Sequence, residues 1–270
     1  MRLRSIRLHW ELARRGYRRY AAYPGATYAG LFTNVFFAFL IAYVLLAVYE
    51  QADVIGGYDV RDAIAYVWLS QALLSVVAIF GPSWFELARR VQTGDVATDL
   101  QRPLDVQRAA LAEDAGRAGY QLLWRAAPQF LLGALLFEIT IPDEAARWLL
   151  FGLSVALAVL VSFGIRFLVN LASFWLLDYR GPVLLALSVN LVLSGMVIPL
   201  AFLPGRLDEI ARVTPFASML QAPIDVYVGA PLGGSVPAVL ALQVAWALVL
   251  YAAGRLLLAS GTRKLVVQGG

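Results

Sequence analysis

The chain has 270 residues, of which 60% are hydrophobic and only 15% are charged, and its formal net charge is +4. Soluble proteins average about 25% charged residues, so this composition favours a membrane protein, whose apolar side chains face lipid instead of water. The sequence has no cysteine and a single histidine, His9, which excludes disulfides, thiol catalysis and metal sites built on cysteine or on several histidines.

Residues 1–26 predict an amphipathic N-terminal helix. Apolar side chains recur at steps of three and four between residues 3 and 20, which places them on one stripe, and arginines surround that stripe. We expect this helix to lie flat in the cytoplasmic membrane interface, with its arginines at anionic headgroups. The alternative is a helix that packs on a partner protein. The interface residues are Trp10, Arg14, Arg15 and Tyr17.

Two apolar runs follow, at residues 27–49 and 63–85, and each is long enough to cross a bilayer as a helix. Asn34 in span one is expected to form an interhelical hydrogen bond, worth about 0.6 kcal/mol inside a membrane, or else to line a transport pathway. Gly81-Pro82 near the end of span two predicts a kink.

Residues 86–119 are the one long polar segment in the interior of the sequence. Arginines alternate there with acids and leave little net charge, which argues against binding to headgroups or nucleic acid. Thr93-Gly94 and Pro103 predict turns, and Asp105 predicts the N-cap of a following helix. A short, turn-bounded unit of this kind can transmit a push from a partner protein, whereas the alternative is a solvated connector. The proposed coupling residues are Arg89, Arg90, Asp95, Asp99, Arg102, Pro103, Asp105 and Arg108.

Spans three to five are predicted at residues 120–141, 148–177 and 183–203. In span four, Arg166 shares a face with Ser162 and Asn170 at steps of four residues. A charge inside a span is a functional candidate, but an arginine near the inner end of a span can also reach the headgroups with its long side chain. Glu138, near the outer end of span three, either attracts a cation or lies in water.

Residues 204–235 are apolar but too interrupted to span, and they predict short re-entrant helices on the outer side. The first covers residues 206–213, and Thr214-Pro215 predicts the start of a second, which Pro223 interrupts. Span six is predicted at residues 236–258. The predicted fold class is an all-α polytopic membrane protein, with six transmembrane helices in one domain over residues 1–270.

The positive charge predicts the orientation of this arrangement. With six spans, 18 of the 22 Lys and Arg residues fall on the side of the N-terminus, and the four others are Arg61, Arg147, Arg206 and Arg212. Because Lys and Arg are enriched in cytoplasmic loops, we expect both termini and residues 86–119 in the cytoplasm of a multi-pass protein in the inner (plasma) membrane. Charge that follows topology in this way does not indicate a nucleic-acid surface.

Two stretches, taken with the order of the elements, resemble the permeases of the ABC type 2 exporter family. The text from Thr93-Gly94-Asp95 to Leu100-Gln101-Arg102-Pro103-Leu104 is similar to the G-(D/E)-L…L-x-R-P-L stretch of one branch. The second stretch resembles the G-x-x-I-P-L…P…P-F-A…P…Y-x-G ending of that branch, and it consists of Gly195-Met196-Val197-Ile198-Pro199-Leu200, Pro204, Pro215-Phe216-Ala217, Pro223, Tyr227 and Gly229.

The resemblance implies the transmembrane permease subunit of an ATP-driven exporter. In this branch two different permeases commonly pair with one ATPase, and some members export organic dications or other toxic compounds. The implied partners are an ABC ATPase subunit in two copies, which carries ATP and Mg, a second permease that is the same or a related chain, and membrane lipids.

The residues agree that the chain is not itself such an ATPase. A phosphate-binding loop needs G-x-x-x-x-G-K-[ST], and the only lysine, Lys264, lies between Arg263 and Leu265. No cofactor is expected in this chain. The rival interpretations are a lipid or polysaccharide exporter permease, a non-transporting scaffold, a membrane-bound enzyme, which needs a catalytic constellation, and a secondary transporter, which is expected to show internal repeats.

Overall fold

The computed structural model of the protein describes residues 2–101, 104–176, 178–229 and 234–264, and the side chains of all of these except residues 2–5, 99 and 100. Within these ranges the fold is helical and has no β-strand, and an isolated bridge pairs Ile55 with Tyr58. The predicted all-α class is therefore confirmed.

In the described part of the chain, three helices are long and apolar enough to cross a membrane. They are α2 (Pro24–Tyr49), α8 (Ala145–Leu171, continued by a 3₁₀ turn at Ala172–Phe174) and α12 (Val236–Thr262). They coincide with the predicted spans one, four and six. The fourth run is helical for 30 residues with its 3₁₀ turn, which is about 45 Å and longer than the ~30 Å hydrocarbon core.

The other three predicted spans contain shorter helices, which are α3 (Val60–Val76), α7 (Ala127–Leu136) and α9 (Arg180–Leu193). The apolar sequence continues beyond α3 and α9, but the helices stop inside it. α9 stops because Gly195 takes a left-handed φ of 79° and Pro199 lacks the N–H that a helix needs.

Predicted span three is part of a longer helical rod. α6 (Val106–Gln121) continues through a π-helical turn (Leu122–Ala126) into α7 without a break. The boundary predicted between residues 119 and 120 therefore falls inside one helix. Pro128 explains the π turn, because its ring would clash with the carbonyl four residues earlier and the wider turn relieves that clash.

The predicted coupling segment folds as short helices, α4 (Glu86–Gln92) and α5 (Val96–Gln101), followed by α6. The turn predicted at Thr93-Gly94 is present, and Gly94 has a φ of 78°. Asp105 is the N-cap of α6, as predicted, and its carboxylate accepts a hydrogen bond from the backbone N–H of Arg108. Pro103 lies outside the described residues.

Between α9 and α12 lie α10 (Leu207–Val213) and α11 (Gln221–Val228). The prediction for the start of the second helix was wrong. Thr214 instead closes α10, where its N–H and hydroxyl both donate to the carbonyl of Ala211. Pro223 does not interrupt α11, because it lies in the first turn, where its missing N–H has no partner to lose. Every residue of α11 is buried.

The centre of the fold is α3, because all of its residues from 63 to 73 are buried. Trp68 on α3 packs edge-on against Phe39 of α2 and tilted against Phe137. A helix that is buried on every side belongs to the interior of the bundle, so the ends of α3 are where an outside force would meet the core.

Candidate coupling site

The C-terminal end of α3 is unwound and held by other elements. Ala78 takes a positive φ of 48°, which ends the helix, and the carbonyls of residues 75–78 lose their helical partners. Arg117 of α6 donates to the first two at 2.6 and 2.9 Å. Ser162 of α8 donates to the third, and the indole N–H of Trp84 donates to the fourth at 2.9 Å. Side chains from three separate elements therefore hold this end of α3.

A buried ionic cluster lies directly beside this helix end. The Asp114 carboxylate accepts from Arg117 Nε at 2.7 Å and from Arg166 Nη2 at 2.7 Å. All three side chains are at most 7% exposed. Burial raises the pKa of Asp114, but the two guanidinium groups outweigh it and hold that pKa well below its usual range. The negative end of the α3 dipole also faces Arg117 and stabilises its charge.

Asn170, one turn along α8 from Arg166, extends the cluster to α4. The side-chain Oδ1 of Asn170 accepts from the backbone N–H of Ala88 at 2.8 Å, and the side-chain Nδ2 donates to the backbone carbonyl of Ser83 at 3.4 Å. The predicted face of Ser162, Arg166 and Asn170 therefore points at the coupling segment. Arg166 is 3% exposed, so its side chain is paired inside the protein and does not extend to headgroups.

The first turn of α6 is fastened to α12. Gln107, which is fully buried, donates to the backbone carbonyl of Tyr251 at 3.0 Å, and Arg108 Nε donates to the Tyr251 hydroxyl at 3.3 Å. The Asp105 carboxylate accepts from Arg255. Partial burial raises the pKa of Asp105, but the capping N–H and Arg255 lower it further, so the carboxylate is ionised.

The N-terminal helix α1 (Arg2–Ala21) packs across α6. The two backbones touch, since a Cβ added to Gly116 would lie 1.8 Å from the carbonyl oxygen of Ala13, and one added to Gly16 would lie 2.0 Å from that of Glu113. Arg19 of α1 also pairs with Glu86 of α4 at 2.6 Å. α1 is thus part of the same unit as the coupling helices.

The four interface residues divide between two environments. Trp10 is 68% exposed, and Arg14 is exposed and lies 3.9 Å from Glu11. Arg15 lies 3.8 Å from Glu113 of α6. Tyr17 faces inward, where its ring packs on Tyr120 and its hydroxyl accepts from Trp124 at 2.7 Å. The helix therefore packs on its own chain through Tyr17, whereas Trp10, two turns nearer the N-terminus, stays exposed.

The remaining predicted coupling residues that the structure describes lie at or near the surface of the loop. Arg89 and Asp95 are exposed, Arg90 is partly buried, and Asp95 accepts from the hydroxyl of Thr93 at 2.7 Å. The side chain of Asp99, and Arg102 with Pro103, lie outside the described residues.

Two predicted pathway residues, Asn34 and Glu138, are not members of the ionic cluster. Asn34 donates to the carbonyl of Gln71 at 3.1 Å, which is the expected hydrogen bond between α2 and α3. Glu138 is 83% exposed and pairs with Arg61 at 2.7 Å.

Sequence reasoning treated Asp114 and Arg117 as ordinary loop charges and missed their role. The available signals were their spacing of three residues on a helix and the need of a buried Arg166 for a counterion.

A second buried network, also missed, lies at the other end of α3. Asp225 of α11 accepts from Arg212 at 2.9 Å, from the Tyr58 hydroxyl at 2.5 Å and from Gln221 at 2.7 Å. Gln221 also accepts from the hydroxyl of Tyr66 on α3 at 2.7 Å. These contacts tie α10 and α11 to the N-terminal half of α3.

Within the described residues no three His, Cys, Asp or Glu side chains are grouped to hold a metal ion. Residues 16–269 match the family model described as an ABC-2 family transporter protein. No curated protein matches the chain.

Proposed function

The chain belongs to the ABC-2 transporter family, and from that premise we propose that it is the permease subunit of an exporter that expels a small hydrophobic or cationic toxic compound. The energy comes from ATP hydrolysed, with Mg, by a separate ABC ATPase subunit. The sequence supports this division of labour, because its single lysine is not part of a phosphate-binding loop.

The observation that carries the proposal is the junction formed by Asp114, Arg117 and Arg166. The cluster joins α6 to α8 and to the end of α3, and Asn170 beside it joins α8 to the surface helix α4. A separate contact of Gln107 joins the first turn of α6 to α12. A push on α4 and α5 by the ATPase would therefore move several membrane helices together. A solvated connector would have no buried charges and no need of them.

The membrane topology that we propose has six crossings, with both termini in the cytoplasm of the plasma membrane. α2, α8 and α12 cross as single helices. The helical rod of α6 and α7 covers residues 106–136, about 46 Å, and crosses with its outer part. α3 and α9 are about 26 and 21 Å long, and each crosses together with the non-helical segment that follows it. The 18-to-four distribution of positive charge supports the orientation.

The proposed assembly is two permeases over two ATPase subunits, and the second permease is the same or a related chain. Six spans of one chain form only a small wall around a transport pathway, which supports a second permease. The exposed apolar faces on the spans support it as well. On α2, for example, Tyr28, Phe32 and Phe36 recur at steps of four and are all more than half exposed. Such a face suits lipid on part of its length and a second permease on the rest.

The test of the proposed function is the composition and coupling of the complex purified from its native membrane. We expect a P-loop polypeptide to copurify with the wild-type chain. Reversing two exposed charges of the loop together, Arg89→Glu with Asp95→Arg, is expected to release that polypeptide or to uncouple its ATPase activity from transport.

The matched control reverses two exposed charges at the opposite end, Asp53→Arg with Arg206→Glu, and is expected to leave coupling unchanged. A complex that stays together and keeps substrate-stimulated ATPase activity after the loop reversal would refute the docking proposal. Absence of any P-loop polypeptide from the wild-type complex would refute the exporter itself.

A further inference from the structure

A cavity of about 640 Å³ lies between α1, α4, α6 and α8, beside the ionic cluster. Its mouth is charged and open to solvent, since the side chains of Arg15 and Arg19 on α1 are 72% and 54% exposed. Its floor is formed by the buried Arg117 and Arg166. The cavity therefore leads from the surface of the protein down to its buried charges.

The lining of the cavity is positive. Among the described residues, six arginines and four carboxylates line it. Arg117 and Arg166 share the carboxylate of Asp114, and Arg15 and Arg19 are paired with Glu113 and Glu86. An anion that entered would add negative charge where cations are in excess. Phosphate oxygens are the preferred partners of several arginines at once.

One wall of the cavity is apolar. Phe163 and Phe167 of α8 stack with their ring centroids 5.4 Å apart, and Leu87 of α4 packs against the same cluster. A free phosphate has no group to place on such a wall. A glycerophospholipid does, because its first acyl methylenes follow directly after the phosphate and glycerol.

The position of α1 brings the mouth to the level of the headgroups. Ile6 and Trp10, in the N-terminal half of α1, are exposed to 67% and 68%, and exposed apolar side chains on a basic helix of this kind are buried at the membrane boundary. Arg15 and Arg19 on the same helix then lie at the depth of the lipid phosphates.

We propose that this cavity binds one anionic glycerophospholipid of the cytoplasmic leaflet, with its phosphate among the arginines of the mouth and its acyl chains along the phenylalanine wall. The bound lipid would brace α1 against α4 and so hold the coupling unit together. The proposal rests on the cytoplasmic position proposed for α1, but not on what is exported or on ATP hydrolysis.

The experiment compares lipid binding to the purified full-length chain in detergent, by native mass spectrometry and by thermal stabilisation. The probes are phosphatidylglycerol, phosphatidylcholine, and the soluble anions inorganic phosphate and glycerol 3-phosphate. We expect phosphatidylglycerol to bind and to stabilise the wild-type chain at least about tenfold more tightly than phosphatidylcholine, and the soluble anions to have little effect.

Two double variants remove the same charge from the same helix. Arg15→Gln with Arg19→Gln removes the mouth of the cavity, whereas Arg14→Gln with Arg18→Gln removes two exposed arginines that do not line it. The first pair is expected to abolish the preference for phosphatidylglycerol, and the second pair to retain it. Equal loss in both pairs would mean general attraction to a basic helix and would overturn the proposal.

A third variant keeps every charge and fills the space. Ala109 lines the cavity from α6, and Ala109→Phe is expected to remove the bound lipid without changing the ion pairs. This variant therefore tests the cavity even if the arginine variants fail to fold. Retained lipid in this folded variant would overturn the proposal. Binding of glycerol 3-phosphate as tight as that of phosphatidylglycerol would also overturn it.

Discussion

Asp114 is the residue on which the buried charges beside the C-terminal end of α3 depend. It forms ion pairs with both Arg117 and Arg166, and each of those arginines is at least 95% buried. Two guanidinium groups with one carboxylate leave a net positive charge inside the protein, which the carbonyls at the end of α3 offset in part. The three side chains therefore act as a unit rather than as two independent pairs.

Replacing Asp114 by asparagine is expected to lower the stability of the chain strongly. The change leaves two buried cations without an anion, and breaking a buried pair from one side costs about 3–5 kcal/mol. Thermal unfolding in detergent measures the effect. Glu113→Gln, at the adjacent position but at a partly exposed pair, is the control and is expected to cost at most about 1 kcal/mol.

The double variant Asp114→Asn with Arg166→Gln tests the mechanism. Removing one orphaned cation is expected to recover part of the loss, so the two changes together should cost less than the sum of each alone. Strict additivity would show that Asp114 and Arg166 do not act through each other.

At the scale of elements, the crossing of α1 and α6 depends on backbone contact. Gly16 and Gly116 allow it because a side chain at either position would overlap the opposite main chain, which cannot move aside. The crossing holds Arg15 and Arg19 over the coupling helices. The fit of this crossing thus decides whether α1 moves with α6 or apart from it.

Gly116→Ala is expected to separate α1 from α6, although alanine is the better helix former. Gly119→Ala is the matched control on the same helix, since a Cβ there meets nothing within 4 Å, and it is expected to be neutral or to stabilise by up to about 1 kcal/mol. Limited proteolysis of α1 and thermal unfolding measure both variants. Equal behaviour of the two alanines would contradict the packing.

The elements that could be predicted are those whose cause is local. The apolar runs of α2, α8 and α12, the turn at Gly94 and the cap at Asp105 are written in neighbouring residues. The end of α3 at Val76 could not be predicted in this way, because Val77 and Ile79 continue the apolar sequence of the helix. That helix stops where side chains of Arg117, Ser162 and Trp84 donate to its last carbonyls. Arg117 and Ser162 lie 41 and 85 positions away from the carbonyls they bind, so no short-range pattern in the sequence reveals them.

The same distinction holds within the candidate site. The face shared by Ser162, Arg166 and Asn170 follows from helical spacing and was predicted, but its partner was not. Asp114 is 52 positions away from Arg166, and no periodicity links two helices of different length and direction. Pairing of that kind is decided by the packing of α6 against α8 and becomes visible only in three dimensions.

At the scale of the whole molecule, α3 is held at both ends by buried ionic networks. Arg117 and its partners hold the C-terminal end, and Tyr66 with Gln221 and Asp225 holds the N-terminal half. Motion of the coupling helices would therefore reach α10 and α11 through a single central helix. The two networks are where a change of state in the membrane domain would have to exchange partners.

The topology is tested by cysteines placed at exposed positions, and the natural absence of cysteine gives a clean background. Asp53→Cys and Glu209→Cys are expected to react with an impermeant reagent on intact cells. Gln101→Cys is expected to react only after the membrane is opened. Labelling of Gln101→Cys on intact cells would invert the proposed orientation, and failure of all three after permeabilisation would show that these positions are covered.

The pairing of Asp114 with Arg166 also has a consequence for the order of synthesis. The carboxylate is made 52 positions before the arginine, so at common rates of translation it leaves the ribosome roughly 3–10 s earlier. In the proposed topology α6 lies on the cytoplasmic side, so the anion would already be present when α8 enters the bilayer with its charge. In that topology, a rearranged chain in which α8 was translated first would expose Arg166 to lipid without a counterion.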